Sequence, residues 1–159
     1  MELKEKRIGY NISQQKAADI VGIPLRTYVR YEDDDNYGNS LKRKAIINAI
    51  DEYCEITEDK GILSLEQIKT IVGDLFDSEY KGEIEFCYLF GSYAKGYAKD
   101  KSDVDLCVST TLSGLNFVGL IERLRNVLHK RIDLIRLNNL KENVELISEI
   151  MKGGIKIYG

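Results

Sequence analysis

The stretch that decides the fold runs from residue 86 to residue 108 and reads FCYLFGSYAKGYAKDKSDVDLCV. An apolar run ends in Gly91-Ser92, a polar loop follows, and a second apolar run begins around Asp103. Because side chains alternate between the faces of a β-strand, Asp103 and Asp105 share one face, about 7 Å apart along the backbone. The opposite face receives the apolar residues Val104, Leu106 and Val108. The stretch therefore predicts two strands, over about residues 84–90 and 103–109.

These residue types suit phosphoryl transfer. Mg²⁺ prefers carboxylate and phosphate oxygens, and two such ions can clamp the attacking and leaving oxygens of an in-line displacement. Gly91 lets the backbone approach a triphosphate closely, and the hydroxyl of Ser92 can donate to it. If a helix starts there, its free N–H groups also favour a bound anion. Positive charge is added by three lysines of the loop, Lys95, Lys99 and Lys101.

Each half of this pattern also has a plainer interpretation. An isolated D-x-D sequence is more often a solvated strand edge, and an isolated Gly-Ser pair is more often an ordinary turn. Here the two occur in order, each beside an apolar run, with the lysine-bearing loop between them. This arrangement favours the interpretation as a phosphoryl-transfer site.

Residues 91–106 resemble the signature of the minimal nucleotidyltransferases, a branch of the DNA polymerase β-like superfamily. The family pattern is Gly-Ser, a small residue, a basic residue and Gly, followed by Ser-Asp-x-Asp and Leu or Ile. The family's third carboxylate comes from a later strand, in the manner of Asp133, and the resemblance covers about residues 64–159. Lys95 stands where arginine is common, which keeps the charge but loses the bidentate fork.

The resemblance implies roles for individual residues in an enzyme that uses Mg²⁺ and takes ATP as its nucleotide donor. The metal would be held, and catalysis served, by three carboxylates, Asp103, Asp105 and Asp133. The nucleotide would be bound by Gly91, Ser92, Lys95 and Ser102. Asp133 would also help to deprotonate the acceptor hydroxyl. In such a cluster, like charges raise one another's pKa until metal enters.

Length and composition exclude several classes of protein. A chain of 159 residues with 43% hydrophobic and 31% charged residues is typical of one domain or two small globular ones. A net charge of −3 gives no general attraction to nucleic acid. The chain shows neither a signal peptide nor an apolar run long enough to span a bilayer, so we expect a cytoplasmic protein without membrane association.

The cysteines and the single histidine argue against metal sites built on those residue types. Cys54, Cys87 and Cys107 are widely spaced and set among apolar residues, which is typical of reduced, buried thiols. His129 is the only histidine, so most histidine-based metal sites are excluded and a Ser-His-Asp triad is disfavoured. We expect His129 to be only the polar end of a helix.

Residues 1–57 are helical in pattern throughout. Ser13 can cap a helix that ends at about Val21, Gly22 breaks it, and Pro24 suits the first turn of a second helix. The second helix runs to about residue 32, and an amphipathic third covers about residues 41–56. A helix, a glycine turn and a second short helix together are compatible with a helix-turn-helix.

The segment from residue 12 to residue 32 resembles the repressor-type helix-turn-helix family, with its Ser-Gln opening, central alanine, glycine turn and closing Tyr-Glu. The resemblance implies contacts to operator DNA from Gln14, Gln15, Arg26, Thr27 and Arg30. Up to Glu55, however, nine Lys and Arg stand against ten Asp and Glu, and the acidic run 33–35 follows the second helix. Acidic charge there opposes phosphate binding. A helical module that only dimerises or docks a partner is the alternative.

The polar segment 57–61 marks the boundary between two domains. Beyond it we predict a helix opened by a capping box at Ser64 and Gln67 and, after the two motif strands, a helix over about 117–130. A third strand over 132–137, a helix over 140–151 and a short strand over 155–158 complete the chain. The predicted fold class is α+β: a helix-turn-helix domain over residues 1–57 precedes a polymerase β-like nucleotidyltransferase domain over residues 64–159, with a small mixed sheet packed by helices.

The resemblance also implies a biological role. Minimal nucleotidyltransferases are commonly antitoxins of toxin–antitoxin pairs whose partner is a small helical HEPN-type toxin, a ribonuclease. The implied reaction transfers AMP from ATP to a tyrosine of the toxin, and an attached helix-turn-helix would let the antitoxin repress its own operon. We expect a homodimer or a hetero-oligomer with the toxin.

Two other functions remain open at this point. One is a DNA-binding regulator whose nucleotidyltransferase fold only senses nucleotide or docks the toxin. The other is a small-molecule nucleotidyltransferase similar to the aminoglycoside-modifying enzymes. The three aspartates argue against the first of these. The short domain carries no obvious acceptor pocket, which favours either a macromolecular acceptor or a small molecule bound at a dimer interface.

Overall fold

The computed structural model describes residues 2–159, and in that range the chain divides into two compact units at Glu55. The first, which we call the N-terminal unit, is entirely helical. The second, the C-terminal unit, spans residues 56–159 and contains a four-stranded sheet. Each unit has its own cluster of buried apolar side chains.

The N-terminal unit consists of four helices, α1 (Glu2–Gly9), α2 (Gln14–Val21), α3 (Leu25–Asp33) and α4 (Ser40–Cys54). Ser13 begins α2 as predicted, because its Oγ accepts a hydrogen bond from the backbone N–H of Lys16 at 3.0 Å. Gly22 ends α2 in the left-handed conformation, with φ 78°. Glycine adopts this conformation without steric cost, so the turn between α2 and α3 follows directly from the sequence.

A buried ion pair joins α1 to α3. Arg7 donates from Nε to Glu32 Oε2 and from Nη2 to Glu32 Oε1, each at 2.8 Å, and Glu32 is only 3% exposed. Burial alone would raise the pKa of the Glu32 carboxyl, but hydrogen bonds from Arg7 and from Gln14 lower it below its usual value. The pair lies in a cluster with the fully buried Tyr28.

The C-terminal unit has a longer list of elements: α5 (Leu65–Glu79), β1 (Ile84–Phe90), α6 (Gly91–Lys95), β2 (Val104–Thr110), α7 (Gly114–Leu128), β3 (Ile132–Arg136), a 3-10 helix (Leu137–Leu140), α8 (Val144–Gly153) and β4 (Ile155–Tyr158). The strand order is β3-β2-β1-β4. Only the β2–β3 pairing in this sheet is parallel, so the sheet is mixed. The α+β class and the mixed sheet are thereby confirmed.

Helices α5 and α7 cover one face of the sheet. The alternation predicted for β2 holds, because Val104, Leu106 and Val108 are all 0% exposed in the cluster that also contains residues of both helices. On the opposite face, Cys107 belongs to a second, smaller cluster with Phe90, against which residues of α8 pack. The capping box of α5 is present, with Ser64 and Gln67 each accepting a hydrogen bond from the backbone N–H of the other.

Helices α1, α7 and α8 differ from the sequence prediction. Helix α1 was not predicted individually, because it is short and strongly charged and Leu3 is its only buried residue. Helix α7 begins at Gly114 instead of residue 117, and it ends before His129, which caps it in the left-handed conformation with φ 56°. Helix α8 begins after Asn143, which accepts a hydrogen bond from the N–H of Leu146, because residues 137–140 form the separate 3-10 helix.

Cys87 and Cys107 are buried as free thiols, in line with the sequence interpretation, whereas Cys54 is only half-buried, so the prediction of burial is wrong for it. Burial raises the pKa of Cys87 and of Cys107, which keeps them protonated and unreactive. In the part of the chain that the structure describes, none of the helices combines the length and the apolar character needed to cross a bilayer.

Candidate active site

The candidate site begins where β1 ends. Helix α6 starts at Gly91, directly after Phe90, and Gly91 adopts the left-handed conformation with φ 70°. A Cβ at this position would overlap the carboxylate of Asp105, so a side chain is excluded both by conformation and by space. The Gly91-Ser92 turn thus lies directly against the carboxylate of Asp105 in β2. Ser92 is half-buried in the turn.

Asp105 and Asp133 are brought together by the parallel pairing of β2 and β3, in which they are register partners. Asp105 is half-buried, whereas Asp133 is exposed. Burial raises the pKa of the Asp105 carboxyl to about 6, and repulsion from Asp133, Asp103 and Glu149 adds to this effect. The Asp105 carboxyl therefore lies in surroundings that disfavour its charged form.

Asp103 has different surroundings from the other two aspartates. It precedes β2 instead of lying within it, is exposed, and accepts a hydrogen bond from Nε of Arg131 at 3.2 Å. Arg131 also donates from Nη2 to the backbone carbonyl of Lys101 at 3.2 Å. The strand boundary predicted at residue 103 is thus one residue too early, and Asp103 is held by the arginine that leads into β3.

The predicted magnesium site is not preassembled. Among residues 2–159, no group of three or more His, Cys, Asp or Glu side chains is arranged closely enough to hold a metal ion. The donor chemistry nevertheless fits Mg²⁺, because carboxylate oxygens are its preferred protein ligands and the raised pKa of Asp105 shows that negative charge there is poorly compensated. Asp105 and Asp133 would hold the ion together with Asp103, whose Oδ1 already accepts a hydrogen bond from Arg131. Magnesium binding stays a prediction.

The remaining predicted nucleotide-binding residues have defined partners. Lys95 donates from Nζ to Glu149 Oε1 of α8 at 3.1 Å, and this hydrogen bond raises the pKa of the lysine. Ser102 accepts a hydrogen bond at its Oγ from the backbone N–H of Lys99 at 2.8 Å, which closes the loop before β2. Their roles in nucleotide binding also stay predictions.

Two features of the site were not found from the sequence. Lys130 is 0% exposed and donates from Nζ to the backbone carbonyls of Asp100 at 2.7 Å and of Lys60 at 3.3 Å. Burial lowers the pKa of this amine. Together with Arg131, Lys130 fixes the loop that carries Asp103.

The second feature is Glu149, whose carboxylate accepts a hydrogen bond from Lys95. No local pattern in the sequence indicated this contact.

The residues predicted to contact DNA lie in the N-terminal unit and differ in their surroundings. Gln14 donates to Glu32 Oε1 at 3.2 Å and is half-buried, so it supports the buried ion pair. Gln15 donates to Asp19 within α2 at 2.9 Å. Arg26 and Arg30 are exposed on α3, with Thr27 half-buried between them. The guanidinium of Arg30 lies 5.8 Å from the ring centroid of Tyr37.

Comparison with known protein families gives one match, the family described as Polymerase beta, Nucleotidyltransferase, over residues 66–159. The chain belongs to this family. The match spans more than half of the chain and includes every element of the candidate site, from the Gly91-Ser92 turn to β3. The predicted nucleotidyltransferase class is confirmed, and the chain is an enzyme of that class. The helix-turn-helix prediction lies outside the matched residues and stays a prediction.

Individual relatives give the same assignment to this nucleotidyltransferase family. The chain is 34% identical over 92 residues to the protein adenylyltransferase MntA of Thermococcus cleftensis, covering 53% of this chain and 88% of that protein. It is 34% identical over 85 residues to a Methanocaldococcus jannaschii protein that is provisionally named a protein adenylyltransferase, covering 48% of this chain and 93% of that protein. A crystal structure described as a toxin-antitoxin with AMP-PNP aligns with a TM-score of 0.49 and 26% identity, over 60% of this chain and 74% of that one.

Proposed function

We propose that the C-terminal unit transfers AMP from ATP to a hydroxyl group of a protein acceptor, with Mg²⁺ as cofactor. One observation carries the proposal: the Gly91 turn lies directly against the half-buried Asp105, whose register partner is Asp133. A phosphate-accommodating turn and two carboxylates are thereby combined at the edge of one sheet. The names of the relatives, which are protein adenylyltransferases, support AMP as the transferred group and protein as the acceptor.

The residues of this chain have separable tasks in the proposed reaction. The backbone at Gly91 and Ser92 approaches the polyphosphate, and Lys95 offers it a cation. The acceptor oxygen attacks the α-phosphorus, the bond to the bridging oxygen breaks, and pyrophosphate leaves. The proton of the acceptor hydroxyl passes to Asp133, which is the more exposed of the paired carboxylates. Bound magnesium would neutralise charge on the phosphates and on the carboxylates.

We further propose that the acceptor is a HEPN-type toxin and that this chain is its antitoxin. Support comes from the resemblance of residues 91–106 to the minimal nucleotidyltransferases and from the adenylyltransferase relatives. The transferred group would be placed on a tyrosine of the toxin. A bulky, anionic AMP on that tyrosine would block the toxin's surface by size and by charge.

The test is to incubate the purified chain with magnesium and a HEPN-type toxin, using ATP labelled either at the α-phosphate or at the γ-phosphate. We expect the toxin band to carry the α-label only, because AMP retains that phosphate while pyrophosphate carries the other away. A γ-labelled band would indicate a kinase. Label on an aminoglycoside alone would favour the small-molecule alternative, and nucleotide binding without transfer would favour a non-catalytic regulator.

We also propose that the N-terminal unit binds operator DNA through α3. The supporting observation is that Arg26 and Arg30, one helical turn apart, are both exposed on α3 directly after the glycine turn. The test is a gel-shift measurement with the promoter of the chain's own operon, comparing the wild type with Arg26→Ala/Arg30→Ala at two salt concentrations. We expect the double variant to bind less tightly and with a smaller salt dependence. Equal binding would favour a module that only docks a partner.

A further inference from the structure

The side-chain amine of Lys95 is engaged by a carboxylate of the same chain. Its Nζ donates to Glu149 Oε1 at 3.1 Å, which joins the end of α6 to α8. The two residues are 54 positions apart in the sequence. Lys95 is also the cation nearest in sequence to the Gly91-Ser92 turn. A polyphosphate at that turn therefore meets a lysine that already has an anionic partner.

The C-terminal end of α8 lies against the side chain of Lys95. Gly153 has no side chain, and a Cβ there would lie 3.6 Å from Lys95 Cε, in van der Waals contact with the lysine stem. Glu149 lies one helical turn before Gly153, so its carboxylate reaches the amine while the stem passes the glycine. Lys95 therefore meets α8 at two positions, with its stem beside Gly153 and its amine on the carboxylate of Glu149.

The pair borders an open concavity with room for phosphate groups. This concavity has a volume of about 430 Å³ and is lined by Lys95, Glu145, Ser148, Glu149, Lys152 and Gly153. Glu149 also adds to the repulsion that raises the pKa of Asp105, so its charge reaches the paired carboxylates. The lysine that we propose to bind a highly negative nucleotide is therefore already paired with a negative side chain in the same concavity.

We propose that Glu149 occupies the position on Lys95 that a nucleotide phosphate would take. An incoming polyphosphate then has to displace Glu149 before it can pair with the lysine. This inference rests on the proposed function, because it assumes that a nucleotide binds at the Gly91-Ser92 turn. Glu149 is then a residue that sets nucleotide affinity by competing for Lys95. It favours ligands that carry enough phosphate charge to displace it, and so disfavours nucleoside monophosphates such as AMP.

The exposure of the pair sets the size of the effect. The side chains of Lys95 and Glu149 are 40% and 38% exposed, so water and salt screen their attraction. Exposed ion pairs of this kind change an equilibrium by about twofold to fivefold. The contact is thus weak enough to be exchanged readily, yet strong enough to be measured in a binding constant.

The experiment compares binding of AMP-PNP and of AMP, each with magnesium, to the full chain by isothermal titration calorimetry. We expect Glu149→Gln to lower the Kd for AMP-PNP by about twofold to fivefold, with a smaller change for AMP. Lys95→Met should weaken AMP-PNP binding. In the Lys95→Met background, adding Glu149→Gln should not improve the affinity for AMP-PNP. The matched control is Glu66→Gln, which removes the same charge at an exposed position of α5 outside the concavity and should leave both constants unchanged.

Two results would overturn the inference while leaving the proposed function intact. One is that the wild type binds AMP-PNP but neither Glu149→Gln nor Glu149→Ala binds it more tightly than the wild type does. The other is an equal gain in the presence and absence of Lys95, since this would indicate a general charge effect. If the wild type itself fails to bind AMP-PNP, the proposed function is rejected, and the inference is rejected with it.

Discussion

Asp105 and Asp133 are register partners on adjacent parallel strands, one half-buried and the other exposed. Two carboxylates so close repel each other, and the buried member has the raised pKa. A folded protein keeps such an arrangement at the expense of stability, which is typical of residues that act on a ligand. The relationship leads directly to the first prediction.

Asp105→Asn should separate activity from stability. We expect AMP transfer to fall by at least about a hundredfold, as when one group of a pre-arranged electrostatic site is removed. In EDTA and at mildly alkaline pH, the melting temperature should not fall, because the substitution removes a half-buried charge and its repulsion from Asp133. The measurements are labelled-ATP transfer and differential scanning calorimetry.

The control for this comparison is Asp74→Asn, which removes an exposed carboxylate on α5 outside the site. It should leave transfer unchanged. Retained transfer in Asp105→Asn would contradict the assignment of the site. A large drop in its melting temperature would instead indicate that Asp105 has a structural role.

The second prediction concerns the left-handed glycine at the turn. Gly91→Ala should lower the free energy of unfolding by about 1–2 kcal/mol for the conformation alone and should also push Asp105 aside, because the new Cβ overlaps that carboxylate. Gly96→Ala provides the matched control, since Gly96 has φ 83° but no heavy atom within 4 Å of an added Cβ.

Gly91→Ala should therefore lose at least as much stability as Gly96→Ala in urea denaturation, and only Gly91→Ala should lose transfer beyond the unfolded fraction. If the two variants lose activity equally, the close approach of Gly91 to Asp105 does not matter for the reaction. The comparison separates backbone strain from the geometry of the site.

Much of this site follows from local patterns in the sequence. The period of two in β2 placed Val104 and Leu106 in the core and Asp105 on the other face, because a pleated strand leaves no other arrangement. Gly91 was predictable in the same way, since an apolar run that stops at Gly-Ser has to turn. These features depend on a few consecutive residues, and the structure agrees with them.

The partners of the site residues were not predictable for a different reason. The Lys95–Glu149 contact joins residues 54 positions apart, and the Arg131–Asp103 contact joins residues 28 apart, so neither has a local signal. The start of α7 was missed because Leu115 is 89% exposed and does not contribute to the apolar stripe. Tertiary contacts determine such features, and these contacts leave no periodic pattern in a single sequence.

A third prediction tests the buried ion pair of the N-terminal unit. Arg7→Met leaves Glu32 buried without its partner, and we expect a loss of about 3–5 kcal/mol in the free energy of unfolding of that unit. Adding Glu32→Met should recover much of this loss, because the uncompensated charge is removed. The measurement is urea denaturation followed by far-UV circular dichroism. A double variant less stable than Arg7→Met would contradict this account.

The same pair gives a pH dependence. The pKa of Glu32 is lowered in the folded state, so its stabilising contribution is present above the usual glutamate pKa of about 4.3 and is lost as pH falls through the lower folded value. Stability of the N-terminal unit should therefore decrease with falling pH in that acidic range. Glu32→Gln should flatten this part of the profile, and an unchanged profile would show that other groups govern it.

The fourth prediction concerns Lys130, which is buried and holds the loop before β2 through two backbone carbonyls. Lys130→Met keeps the apolar stem but removes the charged donor to the carbonyls of Asp100 and Lys60, and a hydrogen bond from a charged group contributes about 1.5–3 kcal/mol. We expect a lower melting temperature and faster amide hydrogen exchange at residues 99–104. Lys69→Met, at an exposed position of α5, is the control and should change neither.

The fifth prediction concerns magnesium and the arginine that holds Asp103. If Asp103 joins Asp105 and Asp133 at the metal, the ion competes for its negative charge with Arg131, with which Asp103 forms an exposed ion pair at 3.2 Å. Arg131→Gln removes this competitor, so the magnesium concentration that gives half of the thermal stabilisation should fall by about twofold to fivefold. The measurement is a magnesium titration followed by differential scanning fluorimetry, with Asp105→Asn expected to show no stabilisation.

The control for the arginine is Arg125→Gln, because Arg125 pairs with Glu58, as Arg131 also does, but is not the partner of Asp103. It should leave the magnesium midpoint where the wild type has it. A higher midpoint in Arg131→Gln would mean that the arginine orients Asp103 toward the metal instead of withholding it. Stabilisation by magnesium that persists in Asp105→Asn would place the ion elsewhere, since the half-buried carboxylate would then not be its ligand.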